Sequence, residues 1–400
     1  MAEDRFLTAQ DAAAELEISL ATLYAYASRG MLRSEPVPGD PRTRRYPKED
    51  VLRLKEKKEL RRDPEKAAPK ALSWGAPVLE SAITLVQDGR LYYRRRDAVA
   101  LARSATVEEV AALLWTGDPA ASEGIFKEAP PDLPLWTGSP DLSPVERCQV
   151  ALPLAGAADP GGWDLRPAAV IKTAARILRL LAGVAAGRIE SGIAATLQAG
   201  WAPGRPEAAG PIASALILSA DHELNVSAFT ARCVASAAAS PYDVVAAGFA
   251  ALKGTRHGGH AERVEALFHE AGSAAGAWQV LVDRLRRGEE ISGFGHPLYP
   301  GGDPRGAALL EIAAEAAPGS PAVECALALA EAGRELIREY PTIDLGLVAL
   351  ARALDLPRHT PLALFALGRT LGWIGHALEQ YALGKLIRPR AAYVGEMPVV

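Results

Sequence analysis

Four clusters of polar residues interrupt a sequence otherwise rich in alanine and leucine. The first is Ser219-Ala-Asp-His-Glu-Leu-Asn-Val-Ser227, directly after an apolar stretch. The second is Lys253-Gly-Thr-Arg-His257-Gly-Gly, a histidine at a glycine-permissive turn. The third is Ser292-Gly-Phe-Gly-His296, with Asp303-Pro-Arg305 ending nine residues after the histidine. The fourth is Tyr340-Pro-Thr-Ile-Asp344, followed by Arg369 and the tail Arg388-Pro-Arg390. These types suit proton transfer on an anionic substrate. Imidazoles donate and accept near neutral pH, a carboxylate can act as base, and an arginine fork matches a carboxylate. Each cluster alone has a plainer reading: a loop histidine beside glycines, an Asp-Pro-Arg turn, or Asp344 as a helix cap. Three histidines and an aspartate could also ligate zinc, but neither HExxH nor CxxC occurs, so no metal is expected.

Helices must position these clusters. From about 107 onward apolar residues recur at three- and four-residue spacing between Pro and Gly breaks. The spacing predicts helices over 107–115, 167–185, 212–219, 228–238, 261–271, 307–316, 322–339 and 361–383. A hairpin is expected over 82–94 with Asp88-Gly89 as its turn, and the proline-rich 128–144 reads as a loop. The class is all-α.

Of 400 residues, 49% are hydrophobic and 23% charged, which excludes disorder as the main state and supports a large core in more than one domain. Three distant cysteines argue against a disulfide framework and for a reducing cytoplasm. No uncharged apolar run is long enough to span a bilayer, so no membrane partner is expected. The net charge of −4 excludes a generic polyanion binder. It also conceals an excess of six basic residues between 29 and 62, whereas all seven histidines lie at or beyond position 222.

The basic segment belongs to residues 1–62. Thr8 and Ser19 can cap two short helices, and Gly30 can close the second. A turn-rich wing carries Arg42-Thr-Arg-Arg-Tyr46, and Pro47 opens a third helix from Val51 to about Arg62. The phrase LTAQDAAAELEISLATLYAYASRGML…RRYPKEDVLRL resembles the winged helix-turn-helix of the MerR and excisionase families. That resemblance implies duplex DNA as a partner, with Thr22, Tyr24 and Tyr26 on or beside the recognition helix and Arg42, Arg44 and Arg45 reaching phosphates. A small protein-docking module is the alternative. Residues 63–75 read as a linker.

Taken in order, the four clusters resemble the citrate synthase family: ADHELN-S, KG--HGG, GFGH with DPR nine on, YP--D and a closing RPR--YVG. The likeness covers about 76–400. It implies a large helical domain (76–258 with 356–400), a small one (259–355), and a Claisen condensation of an acyl-CoA with oxaloacetate followed by thioester hydrolysis. By motif, Asp344 is the base, His257 donates to the thioester carbonyl, and His296 polarises the oxaloacetate ketone. His222, Asn225, Arg305 and Arg369 bind oxaloacetate. Arg388 completes the neighbouring subunit's site, so a homodimer is implied. Gly293, Phe294 and Gly295 approach CoA, which is a co-substrate; no permanently bound cofactor is implied. Some positions depart from the family. Pro300 and Gly301 stand where basic residues are common, and Thr255-Arg256 precede His257 where Pro-Leu is usual. Ser219, His260, Thr342 and Arg95 are also atypical. Arg256 or Arg263 is therefore the expected contact for CoA phosphates. Acetyl-CoA is favoured as substrate. The alternatives are propionyl-CoA, giving 2-methylcitrate, and a DNA-binding regulator whose body senses metabolites.

Overall fold

The computed structural model describes residues 6–37, 40–48, 50–52, 54–55, 78–127, 141–391 and 393–398. The chain forms two compact units, Met1–Glu80 and Ser81–Val400.

In the first unit the helix Ala9–Glu15 begins where the Thr8 hydroxyl accepts the Asp11 amide at 3.1 Å. The helix Leu20–Ser28 begins where the Ser19 hydroxyl accepts the Thr22 amide at 3.2 Å. Gly30, at φ +72°, then turns the chain out of the helix. Strands β1 (Phe6–Leu7), β2 (Glu35–Val37) and β3 (Asp40–Pro47) pair antiparallel in the order β1-β3-β2. Ala12, Leu16, Leu23, Leu32, Tyr46 and Val51 make the core. Positions 51–52 and 54–55 are helical. The rest of the expected third helix and the expected linker lie outside the described residues, as do 128–140 of the expected loop.

The second unit opens on the hairpin of β4 (Thr84–Gln87) and β5 (Arg90–Tyr93), extended by β6 (Arg96–Asp97). Asp88 and Gly89 both hold positive φ, as a two-residue turn matched to strand twist requires. Helices build the remainder around two apolar cores. The larger surrounds the helix Thr360–Leu383, which is apolar on all sides and buried along most of its length. The smaller gathers Val264, Leu267, Phe268, Leu281, Leu329, Leu345 and Val348. The helices Pro304–Ala316 and Ile343–Ala353 contribute to both cores. They cross closely because a Cβ on Gly306 would lie 2.5 Å from the Thr342 carbonyl oxygen, and one on Gly346 would lie 2.6 Å from Leu309 Cβ.

Several helix boundaries differ from the periodicity, for reasons in the caps. The helices expected from 307 and 228 begin at Pro304 and Val226 because Asp303 and Asn225 cap them. The helix expected to reach Glu339 ends at Leu336. Arg338 adopts φ +58°, and the following residues pair with 293–295 instead.

Candidate active site

His222 lies in the turn after the helix Ala209–Ser219. The Tyr93 hydroxyl anchors that turn, donating to the Ile217 carbonyl at 3.0 Å and accepting the Asp221 amide at 3.3 Å. Asn225 fixes its other end. Its Oδ1 caps the next helix through the amides of Ser227 and Ala228, and its Nδ2 donates to the His222 carbonyl. Asn225 therefore helps to aim His222. His222 is 7% exposed, and its ring meets that of His296 edge-on at 4.9 Å between centroids.

His257 sits in a tight turn closed by its own amide on the Gly254 carbonyl and by Gly258 on the Leu252 carbonyl, each at 2.9 Å. Its Nε2 lies 2.9 Å from Ser227 Oγ, and its ring is edge-on to Phe365. The serine proton can go either to Asn225 Oδ1, 2.8 Å away, or to His257 Nε2. In the second arrangement neutral His257 carries its proton on Nδ1 and can donate there. Burial, with the charge of Arg369, pushes its pKa down to about 3. His296 has a determined tautomer. The Leu298 amide donates to Nδ1 at 3.2 Å, so a neutral ring keeps its proton on Nε2. Burial and then Arg305 push its pKa down to about 4.

The segments carrying His296 and Asp344 are zipped together. Thr342 N donates to the Gly293 carbonyl at 2.8 Å and Gly295 N to the Tyr340 carbonyl at 2.9 Å, flanking a bridge between Phe294 and Pro341. Gly293 (φ +93°) and Gly295 (φ +73°) permit this path, and a Cβ on either would strike Val264 or the Glu339 carboxylate. Phe294 packs against the smaller core. Both glycines are thus explained by protein neighbours. Asp344 stands in the first turn of Ile343–Ala353, half-buried, with the Thr342 hydroxyl donating to it at 3.3 Å. Burial raises its pKa against the opposing pull of His260 and Arg305.

Two buried arginines complete the cluster. Arg305 donates to both oxygens of Asp303, at 2.9 and 2.8 Å, and Asp303 also accepts the Ile343 amide. Burial opposes the charge of Arg305, but Asp303 outweighs it and keeps the guanidinium ionised. Arg369 donates from Nε to the Ser219 carbonyl at 2.8 Å and lies 4.7 Å above the Phe365 ring. The charge of Arg305 acts on His222, His296 and Asp344, and that of Arg369 on His222 and His257. Six residues from four distant motifs therefore share one electrostatic environment. It holds neutral donors, fixed positive charge and one carboxylate able to act as base.

Residues not singled out from sequence support them. His376 Nε2 lies 3.2 Å from Asp221 Oδ1, both fully buried. Burial works against ionised Asp221, yet His376 and then Arg369 hold its pKa down. The signal for His376 was its place seven residues after Arg369, on the same face of one apolar helix. Tyr299, beside His222, stands in a segment read only for what it lacks.

Other expected residues are exposed or paired with other side chains. Arg388 is exposed in the tail beyond Gly384, and Arg256 is exposed beside His257. Arg263 pairs with Glu290 at 3.1 Å. In the first unit Thr22 faces the Ser19 cap and Tyr24 is half exposed. Arg44 donates to Ser34, while Arg45 lies 3.9 Å above the Phe6 ring and pairs with Glu35. The side chain of Arg42 lies outside the described residues. Among the described residues no group of His, Cys, Asp and Glu could hold a metal, and no helix is long and apolar enough to cross a membrane.

A mainly helical body with two cores carries neutral histidines and buried arginines around one carboxylate, a set of groups suited to acid–base chemistry on an anion. The family model for the citrate synthase C-terminal domain matches residues 71–390, and the chain belongs to the citrate synthase family. It is 37% identical over 189 residues to putative citrate synthase 2 of Mycobacterium tuberculosis, covering 46% of this chain and 50% of that one. It is 36% identical over 184 residues to citrate synthase 2 of Bacillus subtilis, covering 45% and 50%. The chain thus spans about half the length of the curated relatives it matches. Its fold is similar to that of citrate synthase from Thermotoga maritima, at 28% identity and a TM-score of 0.68, over 82% of this chain and 96% of the other.

Proposed function

We propose that the chain condenses an acyl-CoA, acetyl-CoA in preference to propionyl-CoA, with oxaloacetate and hydrolyses the thioester to release CoA. The observation that carries this reading is the grouping of Arg305 and Arg369 with three histidines held neutral. Two buried guanidinium groups suit a dianion of two carboxylates, and a neutral imidazole can donate a hydrogen bond to a carbonyl without first losing a proton. Asp344 removes a proton from the acyl methyl group while His257 Nδ1–H stabilises the developing enolate oxygen, provided that Ser227 donates to Nε2. His296 Nε2–H polarises the ketone and gives up its proton as the alkoxide forms. Acid–base help of this kind is worth on the order of 10²–10⁴-fold per group.

The test is release of free thiol when protein is mixed with oxaloacetate and acetyl-CoA or propionyl-CoA. Release by the wild type, faster with acetyl-CoA, is expected. Tight oxaloacetate binding without any release would favour a metabolite sensor instead. The two apolar cores support a larger and a smaller lobe, 76–258 with 356–400 and 259–355, joined through Pro304–Ala316 and Ile343–Ala353, which contribute to both, and closing on the substrates. Exposed Arg388 fits a role in a neighbouring subunit's site, and exposed Arg256 a role with CoA phosphates. Arg256→Ala should therefore raise the acyl-CoA KM. We read the first unit as a winged helix-turn-helix, on the strength of its two capped helices and the β2–β3 wing. Binding of the full chain to duplex DNA should weaken steeply with added salt if Arg44 and Arg45 contact phosphates.

A further inference from the structure

Tyr299 has no role in the chemistry so far described. It is 2% exposed and lies in the turn after His296, donating its amide to the His296 carbonyl at 2.9 Å. Its ring sits 5.1 Å from that of His296, with the Arg305 guanidinium 5.6 Å from its centroid. Its hydroxyl has one hydrogen-bond partner among the described residues, His222 Nε2 at 3.0 Å. This pair has one arrangement that satisfies both atoms. If Nε2–H donated to the phenol oxygen, the buried phenol proton would have no acceptor among the described residues, a costly loss. If the phenol donates, Nε2 accepts with its lone pair, and the ring proton of neutral His222 resides on Nδ1. Nδ1 makes no hydrogen bond among the described residues. Burial and the charges of Arg305 and Arg369 keep the His222 ring neutral, and burial keeps Tyr299 protonated.

We propose that Tyr299 is a positioning residue that locks His222 in its Nδ1–H tautomer, so that a donor rather than a lone pair meets a carboxylate of the dianionic substrate. The inference rests on the reading of His222 as an oxaloacetate ligand. In the opposite tautomer, an imidazole lone pair would face an anion, and the two arginines would have to hold the substrate against that repulsion.

Tyr299→Phe tests it cleanly, because phenylalanine keeps the ring contacts with His296 and Arg305 and deletes only the hydroxyl. The expected result is a rise of about tenfold in the oxaloacetate KM, equivalent to one hydrogen bond to a charged group. The turnover number should stay within about threefold and the acyl-CoA KM should be unchanged, a split that a general loss of packing would not produce. A second measurement needs no variant of Tyr299. In substrate-free wild type carrying ¹⁵N-histidine, the His222 resonances, assigned by their loss in His222→Asn, should show Nδ1 protonated and Nε2 unprotonated. Protonated Nε2 in the wild type, or an unchanged oxaloacetate KM in Tyr299→Phe, would overturn the proposal. Should the wild type release no thiol with oxaloacetate and either acyl-CoA, the proposed function fails, and the resonances still decide the tautomer.

Discussion

Asp344 is the residue where the proposed function and stability pull apart. Its carboxyl pKa is raised by burial, so above the ordinary carboxylate range the folded chain holds a charge that it disfavours. Asp344→Asn removes that charge and should abolish thiol release while oxaloacetate still binds by calorimetry. The thermal midpoint at pH 7.5 should stay equal or rise. The histidines work in the opposite sense. Folded His257 and His296 take a proton only at about 3 and about 4, against 6.5 for a free imidazole. As pH falls through 6.5 the unfolded chain gains protons that the folded chain refuses, so stability is present above that pH and is lost progressively, down to about 4 for His296 and about 3 for His257. Melting of the wild type should therefore move to lower temperature between pH 7.5 and pH 5, and His296→Asn should lessen that movement. An unchanged difference in His296→Asn would mean that His296 is not held neutral by the fold.

At the scale of elements, the site depends on how closely two helices approach. Arg305 opens Pro304–Ala316 and Asp344 opens Ile343–Ala353, and the Asp303 carboxylate joins the two beginnings. Gly306 permits the contact. Gly306→Ala would force about 1 Å of separation against the Thr342 carbonyl and cost about 1–3 kcal/mol, as overpacking does. Urea titration should show the loss, and turnover should fall because Arg305 and Asp344 are moved apart. An unaltered midpoint would mean that the helices separate freely. Much of this scale was legible beforehand. The apolar spacing located the helices, and the hairpin at Asp88-Gly89 formed as its turn residues require. The unread part was capping: Asp303 and Asn225 each extend a helix beyond its first apolar residue, and a positive φ at Arg338 ends another early. A side chain bonding to a nearby amide leaves no mark on apolar periodicity.

For the whole molecule, every residue placed in the site lies within Ser81–Val400, which has its own cores. Deleting Met1–Glu80 should therefore leave thiol release essentially intact. The proposed dimer has a sharper test. Arg388→Ala and Asp344→Asn should each be inactive alone. Subunits exchanged between them should regain activity, because one site of each mixed dimer then carries neither defect while the other carries both. Random pairing restores about a quarter of the sites. No recovery, with mixed dimers shown to form, would place Arg388 outside the neighbouring site.

By itself the sequence determined which residues are candidates for the chemistry. His257, His296, Arg305, Asp344 and Arg369 are polar side chains standing in apolar or glycine-bounded text, where each needs a reason to be present. It also determined the helical class, since a 3.6-residue apolar period is a local property of the chain. Only the tertiary structure decided how those residues are aimed. Tyr299 meets His222 across 77 residues, and Asp221 meets His376 through a buried contact between separate elements. The ring nitrogen that bears each proton follows from partners such as Leu298 N and Ser227 Oγ. Tautomer and pKa depend on the distances to neighbouring charges and on exclusion of water. Both quantities come into being only when distant segments pack together.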